Sequence, residues 1–247
     1  METKIIAFLK KIYHLIKGTS SAQRIPAIVI NDEYIEWLTF ANAGMLNRGN
    51  LYCIDYAAKH IASNNPVIEI GSFCGLSTNL INYYLHKYGK NNKIITSDNW
   101  EFENKRDGMI GESVISHADY KNFVKESFKR NVHLFSAFNL PYAIEALSDD
   151  FFELWNKNTD TKDIFERNIK LGGPVSFAFI DGNHTYDFAK RDFENTDKFL
   201  ETGGFILFDD SSDNSIFECK HLMKEIEANP GYELVIKNPN YLFRKVA

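Results

Sequence analysis

The chain has 247 residues, of which 44% are hydrophobic and 25% charged, with a formal net charge of −5. A chain of this length buries one sizeable core, so we expect one main domain with an appended segment. The negative charge argues against nucleic acid as a partner, because proteins that bind nucleic acid usually present a basic patch. Three scattered cysteines argue against a disulfide framework or a structural zinc site, and we expect a cytoplasmic protein.

The first 60 residues are predicted to form a helical extension. Within them, residues 4–17 place apolar side chains near one helical face, with Lys10, Lys11 and Lys17 largely elsewhere. This stretch is too short and too charged to cross a bilayer, and it lacks the clean apolar core of a signal peptide. It can pack on the domain or on a partner subunit, or it can lie peripherally on the inner membrane surface.

Residues 61–247 are assigned to the main domain, a doubly wound α/β fold. From residue 65 onward the predicted strands and helices alternate, which is typical of a parallel sheet covered by helices. Turn residues at 238–240 predict a terminal hairpin. Residues 99–174 are less regular and are predicted to contain a lid or insertion. Strands are predicted at 66–70, 93–98, 142–147, 175–182 and 203–210, and helices at 76–87 and 186–200.

The first predicted strand leads into a glycine turn that contains Glu69, Gly71, Ser72, Gly75 and Ser77. Such a turn lets the backbone approach a ligand closely, and the helix after it offers unpaired N–H groups. The G-x-x-x-G spacing differs from the G-x-G-x-x-G of dinucleotide sites, which disfavours a nicotinamide-dependent oxidoreductase. Glu69 is expected to hold a cationic group of the ligand. The alternative is an ordinary strand-to-helix turn.

Two residues after the second predicted strand are candidates for binding a nucleoside. Asp98 ends that strand, where a carboxylate can accept hydrogen bonds from both ribose hydroxyls. Trp100 can stack on an adenine ring, or it can pack inside the predicted lid.

From residue 66 to the C-terminus the sequence resembles the class I S-adenosylmethionine-dependent methyltransferases, more narrowly the macrocin-type and other sugar O-methyltransferases. The resemblance rests on the turn, on Asp98 and on a later series comprising Asp181, Gly182, His184, Tyr186, Asp192, Gly203, Gly204, Asp209 and Asp210. It implies a Rossmann-like sheet of seven strands with an antiparallel last strand, and S-adenosyl-L-methionine as cofactor. The expected cofactor contacts are Glu69, Gly71, Ser72, Gly75, Ser77, Asp98, Trp100, Ser148 and Asp181.

Three acids are candidates for a metal site, because Asp181, Asp209 and Asp210 follow two strands that should be neighbours. Carboxylates gathered at one sheet edge repel one another unless a cation or protons offset them. Oxygen ligands without a soft partner suit Mg²⁺, or Mn²⁺ or Ca²⁺. The alternative is that Asp210 caps a turn and Asp181 orders a loop.

His184 is the predicted general base, with Asp181 beside it in the catalytic group. An imidazole titrates near neutrality and suits removal of a proton from a hydroxyl. The alternative is a histidine that orders the loop through a hydrogen bond.

We therefore predict a metal-assisted O-methyltransferase that acts on a hydroxyl of a sugar or another small-molecule or glycan acceptor. The alternatives are a metal-independent methyltransferase of the same fold and a non-catalytic subunit that binds the cofactor or serves in assembly. A homodimer is expected on general grounds. The aromatic residues expected to stack on a sugar are Phe102, Tyr120, Phe123 and Tyr142.

Overall fold

The computed structural model of the chain describes residues 28, 30, 32–101 and 107–247, so the predicted helix at 4–17 and Phe102 lie outside the described residues. The described helices are α1 (Glu33–Ala41), α2 (Asn50–His60), α3 (Leu76–Lys87), α4 (His117–Phe135), α5 (Ser148–Asn156), α6 (Tyr186–Asp197) and α7 (Cys219–Glu227). The strands are β1 (Val67–Ile70), β2 (Ile94–Ser97), β3 (Tyr142–Ile144), β4 (Asp160–Lys162), β5 (Asn168–Lys170), β6 (Val175–Ile180), β7 (Leu200–Phe208), β8 (Tyr232–Lys237) and β9 (Tyr241–Lys245).

A seven-stranded sheet in the order β3-β2-β1-β6-β7-β9-β8 forms the centre of the molecule. The pairs from β3 to β7 are parallel, and β9 runs antiparallel to both β7 and β8. The predicted sheet with an antiparallel last strand is confirmed, as is the hairpin around residues 238–240. In the parallel part, consecutive strand ends lie side by side at one edge, where open α/β sheets bind ligands.

Helices cover both faces of this sheet, which explains why its central strands are continuous apolar runs. One core lies between the sheet and α5, α6 and α7, and it includes Ile68 and Ile70 of β1. The other lies under α1, α2 and α3 and includes Val67. Because alternate strand residues face opposite sides, Glu69 lies on the same side as Val67.

The described part of the predicted N-terminal extension belongs to the second core. Ile35 and Leu38 of α1 and Leu51 and Ile54 of α2 are buried there together with residues of the sheet. Asp32 caps α1 by accepting hydrogen bonds from the backbone N–H groups of residues 34 and 35. This part of the extension is therefore a cover of the sheet.

Residues 99–174 contain more regular structure than the sequence predicts. They contribute β3 and α5 to the main fold, the hairpin β4–β5, and the 19-residue helix α4. Helix α4 packs through Val124, Phe128 and Val132 on a third cluster with Cys74 and Trp100. None of the helices in the described ranges is long and apolar enough to span a bilayer.

Candidate active site

A cleft of about 560 Å³ opens at the carboxyl edge of the parallel strands. It is lined by the turn after β1, by the ends of β2, β3, β6 and β7, and by the loops that follow them. Most of the predicted site residues meet there, namely Gly71, Ser72, Ser77, Asp98, Trp100, Ser148, Asp181, His184, Asp209 and Asp210. Glu69 and Gly75 do not line the cleft.

The turn after β1 requires glycine at its first position. Gly71 has φ +85°, and a Cβ atom there would lie 2.1 Å from the backbone oxygen of Asp181. The turn therefore lies directly against the end of β6, and its backbone forms part of the cleft wall. Gly75 has φ +87°, and a Cβ there would lie 3.1 Å from Phe128 and 3.2 Å from Val132. Gly75 thus allows α4 to pack on the turn.

Glu69, one of the expected cofactor contacts, does not line the cleft. Its side chain is fully buried behind the turn, where the hydroxyl of Thr78 donates a hydrogen bond to Oε2 at 2.5 Å. The reason is the alternation along β1, which turns Glu69 toward α3 while Ile70 lines the cleft. Burial raises the pKa of Glu69 to about 7, although the hydroxyls of Ser77, Thr78 and Thr96 oppose the shift.

We expect Glu69→Gln to make stability less dependent on pH. Between about pH 4.5 and 7 the folded protein retains a proton that the unfolded chain releases, so stability falls as the pH rises. The amide has no such proton and should be more stable than wild type at pH 8, by up to about 3 kcal/mol. Urea unfolding at pH 5 and pH 8 measures this, with Glu36→Gln on the exposed side of α1 as control. An identical pH slope for Glu69→Gln and wild type would contradict it.

Asp98 ties the end of β2 to the turn after β1. Its Oδ2 accepts hydrogen bonds from the backbone N–H groups of Ser72 and Phe73, both at 2.8 Å, and its Oδ1 accepts one from Trp100 at 2.6 Å. The carboxylate is thus fixed at the cleft wall, as a ribose ligand would need. Trp100 is 4% exposed, and its indole N–H donates to the Phe73 oxygen at 2.9 Å. These contacts favour the packing alternative for Trp100.

Two asparagines that the sequence did not predict hold Asp209. Asn50 at the start of α2 and Asn240 in the β8–β9 turn donate to its Oδ1, at 2.5 and 2.7 Å, and Asn240 also donates to Asn50 Oδ1 at 2.9 Å. All three side chains are buried. Burial and the neighbouring Asp209 carboxylate raise the pKa of Asp181 well above its usual range. The acids are therefore crowded, and the two amides stabilise the negative charge of Asp209.

Asn240→Ala should lower the free energy of unfolding by about 1–3 kcal/mol, because it removes one of the two donors to the buried Asp209 Oδ1 and leaves the buried Asn50 Oδ1 without its donor. Urea denaturation measures the loss. In an Asp209→Ala background the same substitution should cost less, since one of the two acceptors of the Asn240 amide is already gone. Equal costs in both backgrounds would show that the hydrogen bond from Asn240 to Asp209 does not contribute to stability.

His184 stands at the rim of the cleft between two acids. Its Nε2 lies 3.7 Å from Asp181 Oδ1 and 3.6 Å from Asp210 Oδ2, and its ring contacts Phe217 at 5.0 Å between centroids. Burial and Asp209 raise the pKa of Asp210, while His184 opposes this. The imidazole is partly exposed, as a group that exchanges protons with a bound substrate must be.

The predicted metal ligands share the cleft, but they do not form a ready-made metal site. Within the described ranges, no group of three or more His, Cys, Asp or Glu side chains is placed to hold a metal ion. Asp181, Asp209 and Asp210 have the hard oxygen donors that Mg²⁺ prefers, and their crowding is of the kind that a cation offsets. The donor chemistry therefore fits a metal, whereas the observed arrangement is not that of a coordination shell.

The order of the sheet and the cleft at its carboxyl edge define a Rossmann-like fold of the methyltransferase type. A family model for a methyltransferase domain matches residues 68–211, more than half of the chain, and the chain belongs to this family. The resemblance to the class I methyltransferases is thus confirmed, while the macrocin-type sugar branch is not. No curated protein matches the sequence.

Solved structures share the fold at low sequence identity. An O-methyltransferase from Bacillus cereus, in complex with S-adenosylhomocysteine, has a TM-score of 0.54 and 15% identity, covering 94% of this chain and 97% of its own. TomG from Streptomyces achromogenes, in complex with S-adenosylmethionine, has a TM-score of 0.54 and 12% identity, and the match covers 89% of this chain and 92% of TomG. The S-adenosylhomocysteine-bound methyltransferase PaMTH1 from Podospora anserina has a TM-score of 0.55 and 12% identity, and the match covers 95% of this chain and 96% of PaMTH1.

Proposed function

We propose that this protein transfers a methyl group from S-adenosylmethionine to a hydroxyl oxygen of a small-molecule or glycan acceptor. The observation that carries the proposal is the single cleft that brings together the Gly71 turn, Asp98 and His184 between Asp181 and Asp210. Two of the similar proteins are O-methyltransferases, and one of these, TomG, is involved in tomaymycin synthesis; for this chain, O-methyl transfer is our inference.

The residues of the cleft fit the cofactor. Gly71 lets the turn lie directly against the end of β6 as one wall of the cleft, and Asp98 is held rigidly at that wall. When bound, the cofactor supplies a methyl group on a positively charged sulfur. The acids at the ends of β6 and β7 favour a cation in the cleft.

His184 accepts the proton that the acceptor hydroxyl loses while its oxygen bonds to the methyl carbon and the carbon–sulfur bond breaks. Asp181 and Asp210 stabilise the imidazolium that results, because both carboxylates lie within 3.7 Å of Nε2. The cleft holds the two reactants in line, which can contribute on the order of 7–11 kcal/mol to lowering the barrier.

We also propose a role for a divalent cation, Mg²⁺ or in its place Mn²⁺ or Ca²⁺, held by Asp181, Asp209 and Asp210. When bound there it would lower the pKa of the acceptor hydroxyl. One observation favours the metal-independent alternative: the His184 ring lies between two of these acids, so the imidazolium that forms when it accepts the proton would itself offset their charge. Exhaustive chelation decides between them, because only the metal-assisted enzyme loses activity and regains it with Mg²⁺.

We also propose that the protein is cytoplasmic, forms a homodimer and attaches peripherally to the inner membrane surface. The acceptor class is part of the same proposal. Of the aromatic residues named for sugar stacking, Tyr120 lines the cleft. Phe123 is exposed on α4, and Tyr142 packs against the guanidinium of Arg167 at 4.2 Å. Tyr120 and Phe217 are therefore two of the aromatic rings at the cleft on which a sugar could stack.

Calorimetry with S-adenosylhomocysteine is the test of this proposal, followed by methyl-labelled S-adenosylmethionine with a panel of sugars and other hydroxyl compounds. We expect binding with a dissociation constant of about 1 μM to 1 mM, and label on oxygen in at least one acceptor. Absence of binding would overturn the proposal in favour of a non-catalytic subunit. Label on nitrogen or carbon alone would overturn O-methylation.

A further inference from the structure

Helices α1 and α4 carry large apolar side chains on their solvent side. On α1, Trp37 is 66% exposed and Phe40 is 83% exposed, and their rings contact each other with 6.2 Å between centroids. On α4, Phe123 is 67% exposed and Leu134 is 72% exposed. Large aromatic side chains are enriched at protein interfaces, whereas monomers rarely expose apolar patches larger than a few hundred Å².

The spacing along each helix places an apolar pair and one charged residue on a single face. Steps of three and four residues return to the same side of a helix, and a step of seven covers about two turns. By this spacing, the exposed face of α1 is formed by Glu33, Trp37 and Phe40. The exposed face of α4 is formed by Phe123, Arg130 and Leu134. The two faces are therefore alike in apolar content and opposite in charge.

Helices α1 and α4 are neighbours that run in opposite directions. The hydroxyl of Tyr34, at the start of α1, donates to the backbone oxygen of Phe135, at the end of α4, at 3.4 Å, and the two rings meet edge to face. Asn42, just after α1, and Asn131 of α4 both donate to the backbone oxygen of Cys74, at 2.9 and 2.8 Å. The two exposed faces thus belong to one side of the molecule, which we call the α1–α4 face.

We propose that the α1–α4 face is the interface through which two copies of this chain form a homodimer. A two-fold axis, the commonest symmetry of soluble oligomers, brings the same patch of both copies together. An axis parallel to α1 and α4 and between them places α1 of one copy on α4 of the other, and the reverse. Glu33 then lies over the helix that carries the partner's Arg130, so each half of the face complements the other in charge. This inference gives the homodimer proposed above a specific interface, and it does not depend on methyl transfer.

The other candidates for covering this face are residues 1–27 of the same chain and a membrane. The charge of Glu33 disfavours the inner membrane surface, whose anionic lipids attract basic segments. Cover by residues 1–27 takes place within one chain, so protection of Trp37 would not change with protein concentration. A dimer instead buries Trp37 only where the concentration suffices for association.

Sedimentation velocity of the full chain at increasing micromolar concentrations measures the dissociation constant of the dimer. The variants are Trp37→Ala, Glu33→Arg, Arg130→Glu and the double exchange that combines the last two. Ile216→Ala, which removes a 90% exposed side chain from the loop before α7, is the matched control. Calorimetry with S-adenosylhomocysteine reports whether each variant retains the cleft.

Acrylamide quenching of tryptophan fluorescence follows the interface directly. The chain has three tryptophans, and Trp100 and Trp155 are buried, so quenching reports mainly on Trp37. The same samples are measured with and without vesicles of phosphatidylcholine and phosphatidylglycerol.

We expect wild type and Ile216→Ala to dimerise, with quenching that falls as the protein concentration rises. Trp37→Ala should weaken dimerisation at least tenfold, since a buried tryptophan is often an energetic centre of an interface. Each single charge change should also weaken it at least tenfold because like charges then meet, and the double exchange should return to within threefold of wild type. All variants should bind S-adenosylhomocysteine within threefold of wild type, which keeps this test separate from that of the proposed function.

A wild type that stays monomeric, or a dimer that these variants do not weaken, would overturn the inference. Weak quenching at every protein concentration would show that residues 1–27 cover Trp37, and protection only by vesicles would assign the face to a membrane. Either result would equally overturn it. A double exchange no tighter than the single changes would overturn the placement of Glu33 over the partner's Arg130.

Discussion

Replacing His184 by alanine is expected to slow methyl transfer by roughly 100- to 10,000-fold, the usual contribution of a positioned general base. The imidazole lines the cleft, and its Nε2 lies 3.7 and 3.6 Å from two carboxylates that stabilise its charged form. Because His184 is not among the proposed cofactor contacts, the affinity for S-adenosylhomocysteine should change less than threefold. Single-turnover rates with labelled S-adenosylmethionine and the acceptor found by screening measure the first quantity, and calorimetry measures the second.

A matched control for this substitution is His221→Ala, which removes an exposed histidine from α7. It should leave both the rate and the affinity as in wild type. A His184→Ala protein that turns over at a near-normal rate would reject the role as base and leave the loop-ordering alternative. A loss of cofactor affinity that parallels the loss of rate would equally show that His184 acts in binding.

Gly71→Ala is expected to abolish binding of S-adenosylhomocysteine and to lower the free energy of unfolding by about 2–5 kcal/mol. The new Cβ would lie 2.1 Å from the Asp181 backbone oxygen, on a residue whose φ is +85°. Since the clash is with backbone, the turn and the end of β6 must move apart, and these two segments are the adjoining walls of the cleft. Urea unfolding and calorimetry measure the two losses.

Gly89→Ala is a control that introduces the strain of a positive φ without the backbone clash expected for Gly71→Ala. Gly89 has φ +63° after α3, and nothing lies within 4 Å of a Cβ placed there. It should cost about 1 kcal/mol and leave cofactor binding unchanged. If Gly71→Ala behaved like Gly89→Ala, the close approach of the turn to β6 would have no bearing on the cleft.

The sequence predicted the elements whose pattern is strong and local. The glycine turn and the apolar face after it predict a helix at 76–87, which is α3 (Leu76–Lys87), and the apolar runs predict β1, β2, β6 and β7. The sequence does not predict helix α4, because only Val124, Phe128 and Val132 of its 19 residues are buried and they form a narrow apolar stripe among charged side chains. The sequence does not predict the hairpin β4–β5 either, because its strands have three residues each and are mostly exposed.

The site was predictable where chemistry follows strand ends, and not where it depends on contacts between distant segments. Each of Asp98, Asp181 and His184 lies at or just after the end of a strand that the sequence predicts. The parallel sheet therefore brings them together at one edge. Asn50 lies 159 residues before Asp209 in a segment without a motif, and only the coordinates show its hydrogen bond. The proximity of Glu69 to the turn predicts a contact with the cofactor, whereas the alternation along β1 turns its side chain away from the cleft.

A crystal structure of the protein with S-adenosylhomocysteine tests the central claim most directly. We predict that the ligand occupies the cleft at the carboxyl edge, with its sulfur beside the Gly71 turn and facing His184 and its ribose on Asp98. A ligand bound elsewhere on the molecule, or one whose sulfur faces away from His184, would contradict the claim that one cleft unites cofactor binding with the catalytic base.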